Sequence, residues 1–597
     1  MLARTDSRAR ALVLLIVAVV AAMAIGARLV WWQVVQQPWL AEMALHQLAQ
    51  HEQLPAERGE ITDVNGELLA TSVELQSVFA TPPTVGADSG MAATILASVL
   101  DMPVEELRAR LESDDPWVWL KRRVSPEVAE RIRSLDLRGI GMLPETKRVY
   151  PAKGVARETT IAAQLIGFVD VEGQGQYGIE RGENGLLAGT PGKVTAQEDV
   201  IGRRIADSAT LLQEPIDGAD IMLTVDAGVQ NLLEQEMWAT LKANSAVGVT
   251  GLIMNAETGA ILAMASYPSY DANQFATTDG ERFSNPAVAR QYEPGSVMKA
   301  FTVAAALDAG AITTSDTVID DNNLRIGNVE IHNADRNDAP YGHGPITVAD
   351  VLALSNNVGA AKVGLTLGRQ ELYQAFLRFG FGSPTGIELS GEASGVVWDP
   401  DGPNASGDLT AAQTAFGQGL SITPLQLAAG YASFANGGTL VTPHVVEGWT
   451  DPDGTYHTAQ QPPGERIMRA ETAETMIELL TNAVDNGIAK GARIPGYTVA
   501  GKTGTAQIAG PVQVPDENGE MVERWQYIDG WVDSSYVGLL PAGDTKLATV
   551  ILIHRPAGAG GPDMPRRPES VYADLMPQVL SYLAIGPDRP IEPVAQP

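Results

Sequence analysis

Ser296 and Lys299 stand three positions apart in QYEPGSVMKAF, directly after Pro294 and Gly295. At the start of a helix that spacing puts both side chains on one face. A lysine amine in a partly buried cleft, close to other cations, has a lowered pKa and can take the serine proton. The helix amino terminus favours the negative charge that develops there. The competing reading of Ser296 is a helix cap, which says nothing about Lys299. Two downstream segments bear on the choice. LALSNNVGAAKVG holds Ser355, Asn356 and Asn357; VAGKTGTAQIAG holds Lys502, Thr503, Gly504 and Thr505. Taken singly, the first is a polar turn inside a helix and the second a strand end. In this order, Ser-x-x-Lys, Ser-x-Asn and Lys-Thr-Gly form a highly specific set. That favours the nucleophile over the cap.

The remaining composition narrows the chemistry. The chain has 597 residues, 45% hydrophobic and 19% charged, which suits several globular domains. Its net charge of −31 argues against a nucleic-acid partner, which needs basic stripes. There is no cysteine, so thiol nucleophiles, disulfides and cysteine-based zinc sites are excluded. None of the seven histidines falls in an H-E-x-x-H pattern, and all read as ordinary surface or core residues.

The elements that must position these residues begin with an anchor. Arg4, Arg8 and Arg10 precede an uncharged run, ALVLLIVAVVAAMAIGA, followed by Arg28, Trp31 and Trp32. A helix over residues 11–32 spans roughly 30 Å, the thickness of a bilayer core. The arginines place residues 1–10 in the cytoplasm and the remainder outside, with the tryptophans at the far interface. A cleaved signal peptide is the rival reading, because residues near Gly26 are small; the run is longer than a usual signal core. Residues 33–50 read as a helical stalk. Asp63-Val64-Asn65-Gly66 predicts a hairpin turn. The glycine-rich stretch from Gly167 to Gly192 reads as a folded connection rather than a phosphate loop. A strand over Ile221–Val225 leads into a helix from Ala227. Helices are expected around Ser296–Ala309, Thr347–Leu367 and Pro568–Leu583, and strands at both ends of the region. That pattern predicts a mixed α/β domain with one antiparallel sheet built from both ends.

Beyond its three motifs, the chain resembles the class B penicillin-binding proteins. ERGEITDVNGELLA is similar to the R-G-x-I-x-D-x-N-G signature of that class, with Val64 where arginine is usual. GQGQYGIERGENGLLAGTPG is similar to its G-x-x-G-I-E element, and FGQGLSITPLQLAAGYASFANGG to a later core segment. The resemblance implies a cytoplasmic tail (1–10), a membrane anchor (11–32), a pedestal domain of the dimerisation type (33–220), a penicillin-binding transpeptidase domain (221–585) and a flexible tail (586–597).

The resemblance also implies roles. Ser296 attacks the penultimate carbonyl of a peptidoglycan stem peptide ending in D-Ala-D-Ala. Lys299 is the base, Ser355 passes a proton to the leaving amine, Lys502 tunes it, and Asn357 orients substrate and Lys299. Lys502, Thr503 and Thr505 bind the terminal carboxylate, and Gly504 leaves room for substrate backbone. The N–H groups of Ser296 and Thr505 form the oxyanion hole. Neither metal nor organic cofactor is implied. β-Lactams are implied as inhibitors that acylate Ser296. No Glu-x-x-Leu-Asn element follows Asn357, which favours a long-lived acyl-enzyme over rapid hydrolysis. The partners implied are the membrane, a polytopic peptidoglycan glycosyltransferase and other division proteins.

YEPGSVMK and GFVDVEGQGQYGIE are more similar to septal, FtsI-type enzymes than to elongation enzymes. Other readings are a D,D-carboxypeptidase or β-lactamase, against which the pedestal and anchor argue, and a non-catalytic β-lactam sensor or division scaffold. A sensor is expected to carry a cytoplasmic output domain, for which residues 1–10 leave no room, and the three intact motifs argue against a scaffold.

Overall fold

The computed structural model describes residues 7–37, 39, 49–197, 210–335, 337–515, 520–540, 546–558 and 564–590. They fall into two compact units, Met1–Glu57 with Gly189–Gly218, and Arg58–Ala188 with Ala219–Pro597.

The first unit holds helix α1 (Ser7–Val30), which runs on into a wider turn over Trp31–Val35. Arg10–Val35 has a mean hydropathy of 2.6 and is long and apolar enough to cross a membrane. Arg28 lies over the Trp32 ring, 5.1 Å from its centroid. The same unit has an antiparallel sheet of Ala49–Leu54, Gly192–Gln197 and Thr210–Gln213. The stalk expected over 33–50 is therefore not wholly helical, because its end is already a strand paired across Ala49↔Gln197. Residues 38 and 40–48 lie outside the described residues.

The second unit opens with β1 (Ile61–Thr62) and β2 (Leu68–Ala80), joined by the expected turn. Asp63 Oδ1 accepts from the N–H groups of Asn65 and Glu67, and Gly66 takes a φ of +83°. β2 pairs with β3 (Val118–Val124) and β4 (Ile140–Val149), backed by helices Ser89–Leu100, Val104–Leu111 and Pro126–Leu135 around their own core.

The strand expected over 221–225 is observed as β5 (Asp220–Leu223). It pairs in parallel with β1 and antiparallel with Val446–Thr450. The position expected as a boundary, 220/221, lies within β5, and Arg58–Ala188 shares one unit with Ala219–Pro597, whereas Gly189–Gly218 belongs to the other. Asp226 then caps α2 (Ala227–Asn244) by accepting from Gly228 and Val229.

The catalytic sheet has the order β7 (Ile261–Tyr267), β6 (Gly248–Asn255), β10 (Leu547–His554), β9 (Met521–Leu540), β8 (Ala500–Pro515), every pair antiparallel. It is built from both ends of the domain, as expected. LATVILIH in β10 is buried almost throughout, as a central strand covered on both faces must be. Between the sheet's halves, α3 (Lys299–Asp308) packs with Pro424–Ala435, whose twelve residues are all buried. A helix apolar on every side belongs inside a core.

The single helix expected over Thr347–Leu367 is two, α4 (Val348–Ala353) and α5 (Asn357–Leu367). The break follows from Asn356, whose side chain accepts from Gly359 N and starts a new helix, and from Ser355, which sits at φ +57°. The closing helix, Pro568–Tyr582, matches its expected limits to within a residue. The tail expected to be free from 586 is tied down further than that. Thr498 N donates to Asp588 Oδ1 at 2.7 Å, and Arg589 pairs with Asp485 at 3.1 Å.

Candidate active site

Ser296 lies in the tight turn Gly295–Met298 that opens α3. Two glycines let that turn wedge between neighbouring chains. Gly295 has a φ of +61°, and a Cβ there would stand 2.9 Å from the carbonyl oxygen of Thr505 on β8. Gly417, at φ +88°, faces it from the other side; a Cβ on Gly417 would stand 2.0 Å from Gly295 O. The turn that carries Ser296 is thereby seated directly against the strand that carries Lys-Thr-Gly.

Lys299 follows one turn later and is fully buried. Its Nζ stands 2.9 Å from Ser296 Oγ, 2.7 Å from Asn357 Oδ1, 2.5 Å from Ser355 O and 3.1 Å from Ser355 Oγ. Lys502, also fully buried, approaches from β8, with Nζ 2.9 Å from the same Ser355 Oγ and 3.2 Å from Thr503 O. Ser296, Lys299, Ser355, Asn357 and Lys502 are therefore brought together.

Burial lowers the pKa of Lys299 well below the usual lysine value; the nearby Lys502 charge lowers it further, against a smaller opposing pull from Asp335. Burial also lowers Lys502, to about 7, opposed by Glu569. A neutral Lys299 fits its four neighbours. An amine has two N–H donors and one lone pair. Ser355 O and Asn357 Oδ1 can only accept, so they take the two protons, and the lone pair is left for a hydroxyl. Lys502 then supplies the ammonium that donates to Ser355 Oγ.

Asn357 is itself oriented. Its Nδ2 donates to His332 O at 2.9 Å, which turns Oδ1 toward Lys299. Its backbone N–H and that of Val358 both donate to Asn333 Oδ1, at 2.9 and 3.1 Å. His332 and Asn333 escaped the sequence reading, because no motif marks them. The available signal is the density of Asn and Asp in DDNNLRIGNVEIHNADRND, the composition of a loop that hydrogen-bonds its own backbone.

Thr503 is half-buried and Thr505 exposed on β8, in register with Tyr536 and Ser534. Gly504 corrects one expectation. A Cβ there would meet Ser535 Oγ at 2.5 Å, Pro294 O at 2.8 Å and Val297 Cγ1 at 3.1 Å. The space it leaves is filled by the turn that carries Ser296 and by β9, not held open for substrate.

Residues 249–573 match the family described as the penicillin binding protein transpeptidase domain, and residues 53–223 the penicillin-binding protein dimerisation domain. The chain is 30% identical to the peptidoglycan D,D-transpeptidase FtsI of Escherichia coli, over 94% of this chain and 90% of that one. It is 31% identical to stage V sporulation protein D of Bacillus subtilis, over 92% and 82%. In fold it is similar to penicillin binding protein 3 of Mycobacterium tuberculosis, with a TM-score of 0.66 at 24% identity over 91% of this chain and 100% of that one. This chain belongs to the class B penicillin-binding proteins. Within that class it is a serine-type D,D-transpeptidase.

Proposed function

We propose that this transpeptidase cross-links peptidoglycan in the septal wall, through an acyl-enzyme on Ser296. The observation that carries the mechanism is Lys299 Nζ, buried, 2.9 Å from Ser296 Oγ and within 2.5 and 2.7 Å of the Ser355 and Asn357 carbonyl oxygens. Lys299 takes the Ser296 proton as Oγ attacks the penultimate D-Ala carbonyl. The N–H groups of Ser296 and Thr505 hold the oxyanion. Ser355 hands a proton to the departing amine of the terminal D-Ala, supported by Lys502. Thr503, Thr505 and Lys502 receive the terminal carboxylate. The amine of a second stem peptide then attacks the ester, restores Ser296 and leaves the cross-link.

The septal assignment is supported by YEPGSVMK, by GFVDVEGQGQYGIE and by the FtsI relative. It places α1 in the cell membrane as a single span, amino end inside and the rest outside, with the pedestal, roughly residues 33–220, as a docking surface for a polytopic glycosyltransferase and other division proteins. β-Lactams use the same chemistry and stop at the ester. Mass spectrometry of the digested adduct with a fluorescent penicillin tests the acyl-enzyme on Ser296. The mass increase is expected on the peptide containing Ser296; an adduct on Ser355, or none in folded protein, overturns it.

A further inference from the structure

Ser355 adopts φ +57°, a region that a non-glycine residue occupies only when its neighbours hold it there. Its carbonyl and its hydroxyl both face the reacting groups. What fixes it lies on the residues that follow. Asn356 Nδ2 donates to Asp320 Oδ2 at 2.7 Å. Asn357 N donates to Asn333 Oδ1, and Asn333 Nδ2 donates to Asp320 Oδ1 at 2.8 Å. The same carboxylate accepts from Asn322 N at 3.0 Å and His343 N at 3.0 Å. Asn322 Oδ1 in turn accepts from Asn333 N at 2.9 Å.

Asp320 is 1% exposed, and its hydrogen bonds go to Asn322, Asn333, His343 and Asn356 rather than to any of the five clustered side chains. Among the described residues it makes no ion pair, so hydrogen bonds alone satisfy it. Burial pushes its pKa up, but the four donors outweigh burial and hold it below the ordinary aspartate value. An ionised carboxylate is the only side chain of this size that accepts four such bonds and donates none.

We infer that Asp320 is a positioning residue for acylation: through Asn356 and Asn333 it sets the Ser355 hydroxyl and the Asn357 amide on Lys299. This rests on the acyl-enzyme reading of Ser296. Asp320 holds the two residues that follow the left-handed Ser355, Asn356 directly and Asn357 through Asn333, so its loss frees Ser355 and Asn357 together. Substrate binding at β8 is left alone.

The test uses full-length protein in detergent and a fluorescent penicillin, separating the pre-covalent dissociation constant from the first-order acylation rate. Asp320→Asn keeps the shape but replaces one acceptor oxygen with a donor and removes the charge. Its acylation rate is expected to fall about 100-fold, the scale of a small misplacement of reacting groups, with the dissociation constant within about threefold of wild type. The exchanged pair Asp320→Asn/Asn333→Asp returns a carboxylate to the centre and is expected to recover about tenfold of the loss. Asn356→Ser covers the case in which Asp320→Asn does not fold, since serine still caps α5 but cannot reach Asp320. It is expected to slow acylation with binding unchanged. Wild-type rates in folded Asp320→Asn, or rate and affinity falling together, overturn the inference. An adduct on wild-type Ser296 separates that failure from a failure of the acyl-enzyme reading, which would show as an adduct on Ser355 or as none in the wild type.

Discussion

Arg58 and Glu180 lie 122 positions apart and share a buried ion pair, with Arg58 Nε 2.7 Å from Glu180 Oε2. Arg58 Nη2 also donates to the Glu180 carbonyl oxygen at 2.9 Å. Arg148 Nε takes the other carboxylate oxygen at 2.7 Å, and the Tyr150 hydroxyl completes it at 3.1 Å. Glu180 is 0% exposed. This explains why R-G and G-I-E recur as separate short motifs in one sequence: they are two halves of one contact. Glu180→Ala leaves two arginines buried without their counter-ion, and is expected to cost about 3–5 kcal/mol in urea unfolding. Where the variant remains folded, penicillin acylation should proceed at the wild-type rate. A variant of unchanged stability would show that the arginines find other partners.

Lys299→Arg separates a base from a mere cation. Arginine keeps the charge but does not lose its proton. Acylation is expected to fall by about 10²- to 10⁴-fold, the usual worth of a general base. In the wild type burial, with the Lys502 charge beside it, holds the Lys299 pKa well below the usual lysine value, so acylation should fall as the pH drops and Lys299 gains a proton. Stopped-flow acylation across a pH series reads both effects. A Lys299→Arg variant that acylates normally would remove Lys299 from the mechanism.

Gly504→Ala tests the close approach of β8 to the nucleophile turn. Ser535 Oγ can rotate away from the added methyl, but the Pro294 carbonyl is backbone and cannot. The expected cost is about 1–3 kcal/mol of stability, typical of overpacking. Acylation should slow as well, because the turn that moves is the one carrying Ser296. Thermal unfolding and penicillin labelling check the two parts. An alanine variant of wild-type stability and rate would show that the strand has slack.

The cluster of Ser296, Lys299, Ser355, Asn357 and Lys502 was legible in the sequence because Ser-x-x-Lys, Ser-x-Asn and Lys-Thr-Gly are rare in that order; that both lysines are buried only the structure shows. The elements that hold the cluster were less legible. Asn356 was readable as a polar residue inside a helix, since its cap depends on Gly359 and its anchor on Asp320, neither visible in a local pattern. The pairing of β5 with β1 and with Val446–Thr450 is set by tertiary contact, so a boundary drawn on local texture at 220 fell inside a sheet. Gly504 was misread for a related reason. A glycine announces that something comes close, and only the packing shows that it is Pro294 rather than substrate.

Lys502 ties the site to the stability of the fold. Its pKa is about 7 in the folded chain, against an ordinary 10.5. Between those values the unfolded chain binds a proton that the folded chain does not. Stability therefore rises with pH across this window, by up to about 1.4 kcal/mol per pH unit from this group. Below about 7 both states are protonated, and the full cost of the buried ammonium is present. Lys502→Met removes that term, so its stability should rise less steeply between about pH 7 and pH 10 than that of the wild type. Urea unfolding of both proteins over the window measures the difference in slope. The same deprotonation removes the charge that meets the substrate carboxylate, so the pre-covalent affinity of the wild type should weaken as the pH passes above about 7. Parallel stability curves for the two proteins would mean that Lys502 is solvated enough to keep its proton across the window, and would remove the reason for the affinity to weaken there.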